Sequence, residues 1–400
     1  MKFIGKSKVY MDFRVKTIEN IRNGNEMNTS KYKINKTSSN VYKIIIFVLF
    51  FSIFFSPGIA EEKQIKKYVL ISEGKLNVRE KPKDGKVLFQ LEKGESVFVK
   101  ENSSSDGWVE ILTKSGTKGF VSTEFLSKKS PEELENAKLF GSVHTDTQGS
   151  RFRSLAIRTN DGWVPAGPGE YGEYEAETLY LEKKILKTKE KGIVYEQINV
   201  AGEFIPEKND KAGCAEGYDV LKGNLNSYKK INTLKYSIFG IFGSKISDQV
   251  RSEKFIPSEK ISKVLESTEN SFFKKQHPKS EELKFLKQGN LYRIVSPKKE
   301  YVVVRYSIQI KAEEKSYHTS IYELENESLG KKIFEKFEVL HNEQAFYGGK
   351  YHFIDAFDLD EDGAPILIWY HNGYDGFVNE FSKVKNDKVE PMFLTGGDAC

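Results

Sequence analysis

Leu76-Asn77-Val78-Arg79-Glu80-Lys81-Pro82 decides how the first part of the chain reads. Leu76 and Val78 alternate with Asn77 and Arg79, so a strand here turns two aliphatic side chains inward and two polar ones outward. Short apolar runs surround it: 68–71 before, then 87–91, 96–100, 108–112 and 118–121 after. Turn signals separate them, at Glu73-Gly74, Asp84-Gly85, Lys93-Gly94, Asp106-Gly107 and Ser115-Gly116. Five or six closely spaced strands with glycine turns predict a small antiparallel barrel, in which closure removes exposed sheet edges.

The order of motifs adds to this. Leu-Asn-Val-Arg-x-x-Pro is followed by Lys93-Gly94-Glu95, by Gly107-Trp108 opening a strand, by Gly119-Phe120-Val121 and by Phe125-Leu126. This succession resembles the bacterial SH3 (SH3b) family over about 60 residues, with Phe120 standing where the family usually has Trp. The resemblance implies an exported β-barrel that binds peptides, often those of the cell wall, and that frequently sits beside a wall hydrolase. It makes Trp108, Phe120 and Arg79 the candidate ligand-binding residues. A Trp in so small a barrel can equally be core filler, because little else is large enough to fill it.

A hydrolase partner should show its chemistry downstream. A papain-like peptidase needs a cysteine nucleophile with a histidine base, yet Cys214 lies in Ala212-Gly213-Cys214-Ala215-Glu216-Gly217, without the Asp-Cys-Ser context of those enzymes. A zinc peptidase needs histidines and a carboxylate at ligand spacing, which His144, His277, His318, His341, His352 and His371 do not provide. Neither a Gly-x-Ser-x-Gly elbow nor a phosphate loop is present. These absences favour a non-enzymatic protein.

Residues 44–55 form a short apolar run behind Lys43, followed by Gly58-Ile59-Ala60 and then Glu61-Glu62. That is the layout of a cleaved secretory signal, and the run is well short of the roughly 20 apolar residues that span a bilayer. With 43 residues ahead of the run the leader is long; a start at Met27 would leave Lys31, Lys33, Lys36 and Lys43 with no acidic residue. Residues 1–60 hold 10 basic and 3 acidic side chains of the chain's 62 and 57, which leaves 52 basic against 54 acidic. Nucleic-acid binding requires a basic surplus, and none survives removal of the leader. The expected location is periplasmic or extracellular. In that oxidising setting Cys214 and Cys400 are expected to pair.

The remaining chain reads as a larger β-rich α+β region with a few helices, divided into a mixed segment 129–289 and a strand-dominated segment 290–400. Ser130-Pro131-Glu132-Glu133 is a capping box with a first-turn proline, predicting a helix over 131–139. Residues 154–158, 178–181 and 192–200 read as strands, and 258–275 and 280–288 as helices. Asp161-Gly162-Trp163-Val164 repeats Asp106-Gly107-Trp108-Val109 and reads as a turn plus strand. Asp358-Leu359-Asp360-Glu361-Asp362-Gly363 offers alternating carboxylates and a turn glycine, the pattern of a Ca²⁺ loop. Asp358, Asp360, Asp362 and the Ala364 carbonyl are its candidate ligands, and Ca²⁺ the possible cofactor. Ile366 and Trp369 occupy the ninth and twelfth positions, where such loops place acids, so an acidic turn between strands is the competing reading.

The expectation is therefore an exported SH3b protein, its barrel at 61–128, that recognises wall peptide or another envelope component without a stable membrane span. A wall hydrolase with an unrecognised site, and a structural module whose barrel packs only on the same chain, are the alternatives.

Overall fold

The computed structural model describes residues 63–100, 106–167, 174–196, 199–212, 218–228, 238–278, 287–311, 314–341, 351–372 and 377–395. The leader, Met27, Cys214 and Cys400 lie outside these residues, and with them the expected signal and disulfide.

The N-terminal barrel is one antiparallel sheet of seven strands: β1 (Gln64–Val69), β2 (Leu76–Arg79), β3 (Val87–Leu91), β4 (Ser96–Lys100), β5 (Trp108–Thr113), β6 (Lys118–Ser122) and β7 (Leu126–Ser127). Their order is β3-β2-β6-β5-β4-β1-β7. Every strand contributes an alternating aliphatic to one core, which joins Val69, Leu76, Val78, Leu91, Val97, Val99, Val109, Ile111, Val121 and Leu126. Leu76 and Val78 face in, as their alternation requires.

The capping box forms after β7: Ser130 N–H donates to Glu133 Oε2 at 2.8 Å and Glu133 N–H to Ser130 Oγ at 3.3 Å. The helix predicted over 131–139 does not follow. Leu134 is drawn wholly into the core, and at Lys138 the chain already enters a strand, so one turn is all that forms.

Next come β8 (Lys138–Asp146), β9 (Gly149–Thr159), β10 (Gly162–Pro165), helix α1 (Glu175–Thr188), β11 (Gly192–Glu196), β12 (Asn199–Ala212), β13 (Tyr218–Ser227) and β14 (Ile238–Phe242). β8 pairs with both β9 and β14, which closes the ring β9-β13-β12-β11-β14-β8 into a second, six-stranded barrel. β14 is buried on both faces. Ile238 and Phe242 point to the barrel interior with Leu139, Phe152, Val194, Phe204 and Leu221, while Phe239 and Ile241 point outward. α1 packs Leu181 and Ile185 into that interior. Residues 178–181 thus belong to a helix rather than a strand: Thr-Leu-Tyr-Leu has β character, but flanking Glu, Leu and Lys and a buried stripe at Leu181 and Ile185 favour the helix.

The last part is layered. One sheet holds β15 (Arg251–Lys254), β16 (Lys287–Gln288), β17 (Tyr292–Val295), β18 (Glu300–Lys311), β19 (Glu314–Glu325) and β20 (Ser328–His341). The other holds β21 (Tyr351–Phe357), β22 (Ile366–Asn372), β23 (Phe377–Lys385) and β24 (Lys388–Thr395), in that order. Helix α2 (Glu259–Gln276), capped by Ser258, covers the outer face of the first sheet. Most of the second predicted helix, 280–288, lies outside the described residues, and Lys287–Gln288 is strand. β22 shows how the layers stack. Ile366 and Ile368 pack against the second barrel, Leu367 and Trp369 against the neighbouring sheet, and all four are fully buried.

Candidate binding face of the N-terminal barrel

Arg79, Phe120 and Trp108 lie on the outer face of the N-terminal barrel, opposite its core. In-register pairing places Val87 of β3 beside Arg79 of β2, Arg79 beside Phe120 of β6, and Phe120 beside Glu110 of β5. Trp108 is one pleat from Glu110 and pairs with Ser122, so it lies diagonal to Phe120 on the same face. All three candidates are half-buried, while their neighbours Val78, Val109 and Val121 fill the core. The three residues named from the sequence are therefore brought together, and Trp108 is not core filler.

Two local features fix this face. Gly119 precedes Phe120, and a Cβ there would sit 2.4 Å from Val78 Cγ1, so only glycine lets β6 approach β2 this closely. Arg79 Nη1–H donates to the Gly85 carbonyl at 2.9 Å, which ties its guanidinium to the β2–β3 loop. Sequence reasoning missed Val87 and Leu88, exposed by 39% and 47% on β3, and Glu110. The signal for the first two was the run Val87-Leu88-Phe89, longer than strict alternation allows; Val87 pairs with Arg79 on this face, while Leu88 is the extra residue at the Val78/Arg79 register shift and leans toward Gly119. The face thus combines an aromatic pair, an aliphatic rim, one cation and one carboxylate, a composition suited to an extended peptide.

The barrel is attached to the rest of the molecule elsewhere. Glu177 of α1 accepts hydrogen bonds from Ser127 Oγ at 2.5 Å and from Lys128 N–H at 3.1 Å. Burial raises the Glu177 carboxyl above its ordinary range, and the Ser127 and backbone hydrogen bonds oppose this. Lys93 lies 4.8 Å over the Tyr180 ring and Lys183 5.6 Å over Phe125. Leu70 reaches into the core beneath α1. These contacts use the C-terminal ends of β1 and β7, the β3–β4 turn that carries Lys93 and the short turn between β6 and β7, and Arg79, Phe120 and Trp108 take no part in them.

Residues 74–127 match the family model of the bacterial SH3 domain. The SH3 domain so identified covers the candidate face and most of the core beneath it, β1 with Val69 preceding the matched residues. Nothing among curated proteins and nothing among solved structures matches the chain significantly.

The second sequence candidate, the acidic loop at 358–364, is fastened to its surroundings. Asp358 is fully buried, and its Oδ1 accepts the N–H groups of Asp362 and Gly363 at 3.1 and 3.2 Å. Asp362 Oδ1 accepts the Ala364 N–H at 2.9 Å. Lys383 Nζ lies between Asp360 Oδ2 and Asp362 Oδ2, at 2.5 and 2.7 Å, and Asp360 also pairs with Arg158. Burial works against ionisation of Asp362, but the hydrogen bonds from Lys383 and the Ala364 N–H, together with the nearby lysine charges, outweigh it and hold the carboxyl below its ordinary range. Lys138 binds Glu361 at 2.7 Å, and Trp163 Nε1–H donates to the Leu359 carbonyl at 3.2 Å. The loop clips the C-terminal sheet to the second barrel, with the protein's own cations on its carboxylates. Among the described residues no three acidic, histidine or cysteine side chains converge as a metal site.

Proposed function

We propose that this is an exported, non-enzymatic protein whose SH3 domain binds peptide of the cell wall through the face formed by Arg79, Phe120 and Trp108. One observation carries the reading: the contacts that anchor the domain to α1 leave that face out. Domains of this family commonly bind peptidoglycan, and the apolar run with its small-residue exit at 44–60 supports export. Among the described residues no helix is long and apolar enough to cross a membrane. The rest of the chain then serves as a platform, to which Leu70 and the Ser127–Glu177 hydrogen bond fasten the domain.

A sedimentation assay of residues 61–400 on purified peptidoglycan tests this. Binding of the wild type that is lost in Trp108→Ala supports the face. Equal retention of both proteins removes it, and absence of binding altogether favours a domain that serves only to pack on α1. Soluble muropeptides released during the incubation would identify a wall hydrolase instead.

A further inference from the structure

α2 lies on its sheet through a stripe at every fourth residue: Ile261, Leu265, Glu269 and Phe273. Three are apolar and one is a carboxylate with 1% of its side chain exposed. Opposite Glu269, on β19, stands His318, whose side chain is not exposed at all. His318 Nδ1 lies 2.6 Å from Glu269 Oε2, and its Nε2 lies 3.2 Å from Glu335 Oε1 of β20. The Phe272 ring stacks on the imidazole at 3.7 Å and 12°. A carboxylate held this deep costs several kcal/mol unless a cation meets it, and a histidine between two carboxylates satisfies both only when each ring nitrogen carries a hydrogen.

We propose that His318 is a buried imidazolium that latches α2 to the sheet, and that α2 loosens from the sheet when His318 loses its proton. Neutral imidazole keeps one N–H, so one carboxylate, the buried Glu269 or the 40% exposed Glu335, would then face a nitrogen lone pair. Of the other groups around the ring only the Ser320 hydroxyl, 3.3 Å from Nε2, can donate to a bare nitrogen, and it would then leave Glu335 to Lys332 alone. From β18, Tyr306 pairs in register with His318; from β19, Tyr322 lies on the same face. Burial raises both phenols above their ordinary range, Tyr322 to about 12. From β20, Lys332 binds Glu335 at 2.6 Å and helps His318 hold that carboxyl low against its partial burial. From α2, Glu266 adds negative charge toward Tyr306, and His277 is engaged with Ser316 at 3.0 Å.

Ser320 Oγ lies 3.3 Å from His318 Nε2, so hydroxyl, imidazole and Glu269 carboxylate lie in the order of an acyl-transfer triad. Two facts oppose that use. Ser320 is fully buried, and Glu335 competes for the nitrogen that would have to accept the serine proton.

The test is made on full-length protein labelled with ¹⁵N-histidine, the His318 signal being assigned by its loss in His318→Gln. Both His318 nitrogens are expected to be protonated at pH 6. Hydrogen-exchange protection of α2, corrected for the intrinsic rate, is expected to fall with pH by at most about tenfold per unit between the ordinary histidine value, about 6.5, and the His318 midpoint, and to level off above it, as release of one proton dictates. Protection of the second barrel should not follow the His318 midpoint, its own pH dependence ending near pH 7 where Glu182 ionises, and Glu269→Gln should remove the pH step of α2. A neutral imidazole at pH 6, protection of α2 that ignores the His318 titration, or no titration before global unfolding would each overturn the latch. Should Glu269→Gln fail to fold, the wild-type spectrum and exchange profile decide alone. Covalent labelling of Ser320 by a fluorophosphonate would overturn it in favour of acyl transfer.

Discussion

The tetrapeptide Asp-Gly-Trp-Val occurs twice and ends in opposite places. In the SH3 domain Trp108 stands half-buried on the outer face while Val109 enters the core with 4% of its surface exposed. In the second barrel Trp163 is the residue that goes in, 7% exposed, edge-on to Phe140 at 6.3 Å and donating its Nε1–H to Leu359. The turns before them differ. Asp106 and Gly107 both take positive φ, at 51° and 75°, whereas only Gly162 does in the repeat, at 120°. Both tryptophans lie on the outer side of their own barrels. What differs is the neighbour: the C-terminal sheet covers the outside of the second barrel at Trp163 and supplies an acceptor for the indole, while the contacts that anchor the SH3 domain bypass Trp108.

This contrast predicts that the two tryptophans fail differently. Trp163→Ala should cost about 3–5 kcal/mol of stability, the range for emptying a buried aromatic site; denaturant unfolding measures it, and a loss below about 1 kcal/mol would mean that the C-terminal sheet does not lean on this indole. The barrel behind Trp163 also buries a carboxyl. Glu182 is fully buried, its one hydrogen bond among the described residues coming from Ser154 at 2.6 Å, and burial pushes it up from 4.5 to about 7. Because the folded value lies above the unfolded one, its contribution is fully present below pH 4.5 and is lost as pH rises to about 7. Glu182→Gln should therefore remove on the order of 3 kcal/mol of pH-dependent destabilisation across that window, read as a flatter plot of unfolding free energy against pH; an unchanged plot would contradict it.

Trp108→Ala should instead leave stability within about 1 kcal/mol and weaken peptidoglycan binding by about 2 kcal/mol, roughly thirtyfold, as truncating an aromatic anchor does. Equal loss of both properties would make the two tryptophans alike. The smallest effect is expected at the acidic loop that meets Trp163. With Lys383 seated between Asp360 and Asp362, millimolar calcium should shift the melting temperature of the wild type by less than about 1 °C, since a ligand near its dissociation constant adds little. A larger shift, seen by scanning fluorimetry with and without chelator, would show that calcium displaces the lysine.

Much of the SH3 domain was legible because its information is local. Strands of four to six residues, glycine turns and short hairpin spacings lie next to each other in sequence, and outward-facing residues follow from alternation. The closed second barrel was not legible in the same way, since closure depends on β8 meeting β14 about a hundred residues later, a pairing that no period-2 or period-3.6 pattern encodes. The misread helix at 178–181 has the same origin: a β-prone tetrapeptide was overruled by the barrel interior that receives Leu181 and Ile185.

The sequence by itself determined the family of residues 74–127, the face that Arg79, Phe120 and Trp108 share, and the near-neutral charge of everything after Ala60. Only the tertiary structure decided which of two identical tetrapeptides stays open, what the acidic loop holds, and that Glu269 and His318, 49 residues apart, meet where an apolar stripe would otherwise continue. Alternation says only that a side chain points to one face or the other; whether that face meets water or another layer depends on residues far along the chain.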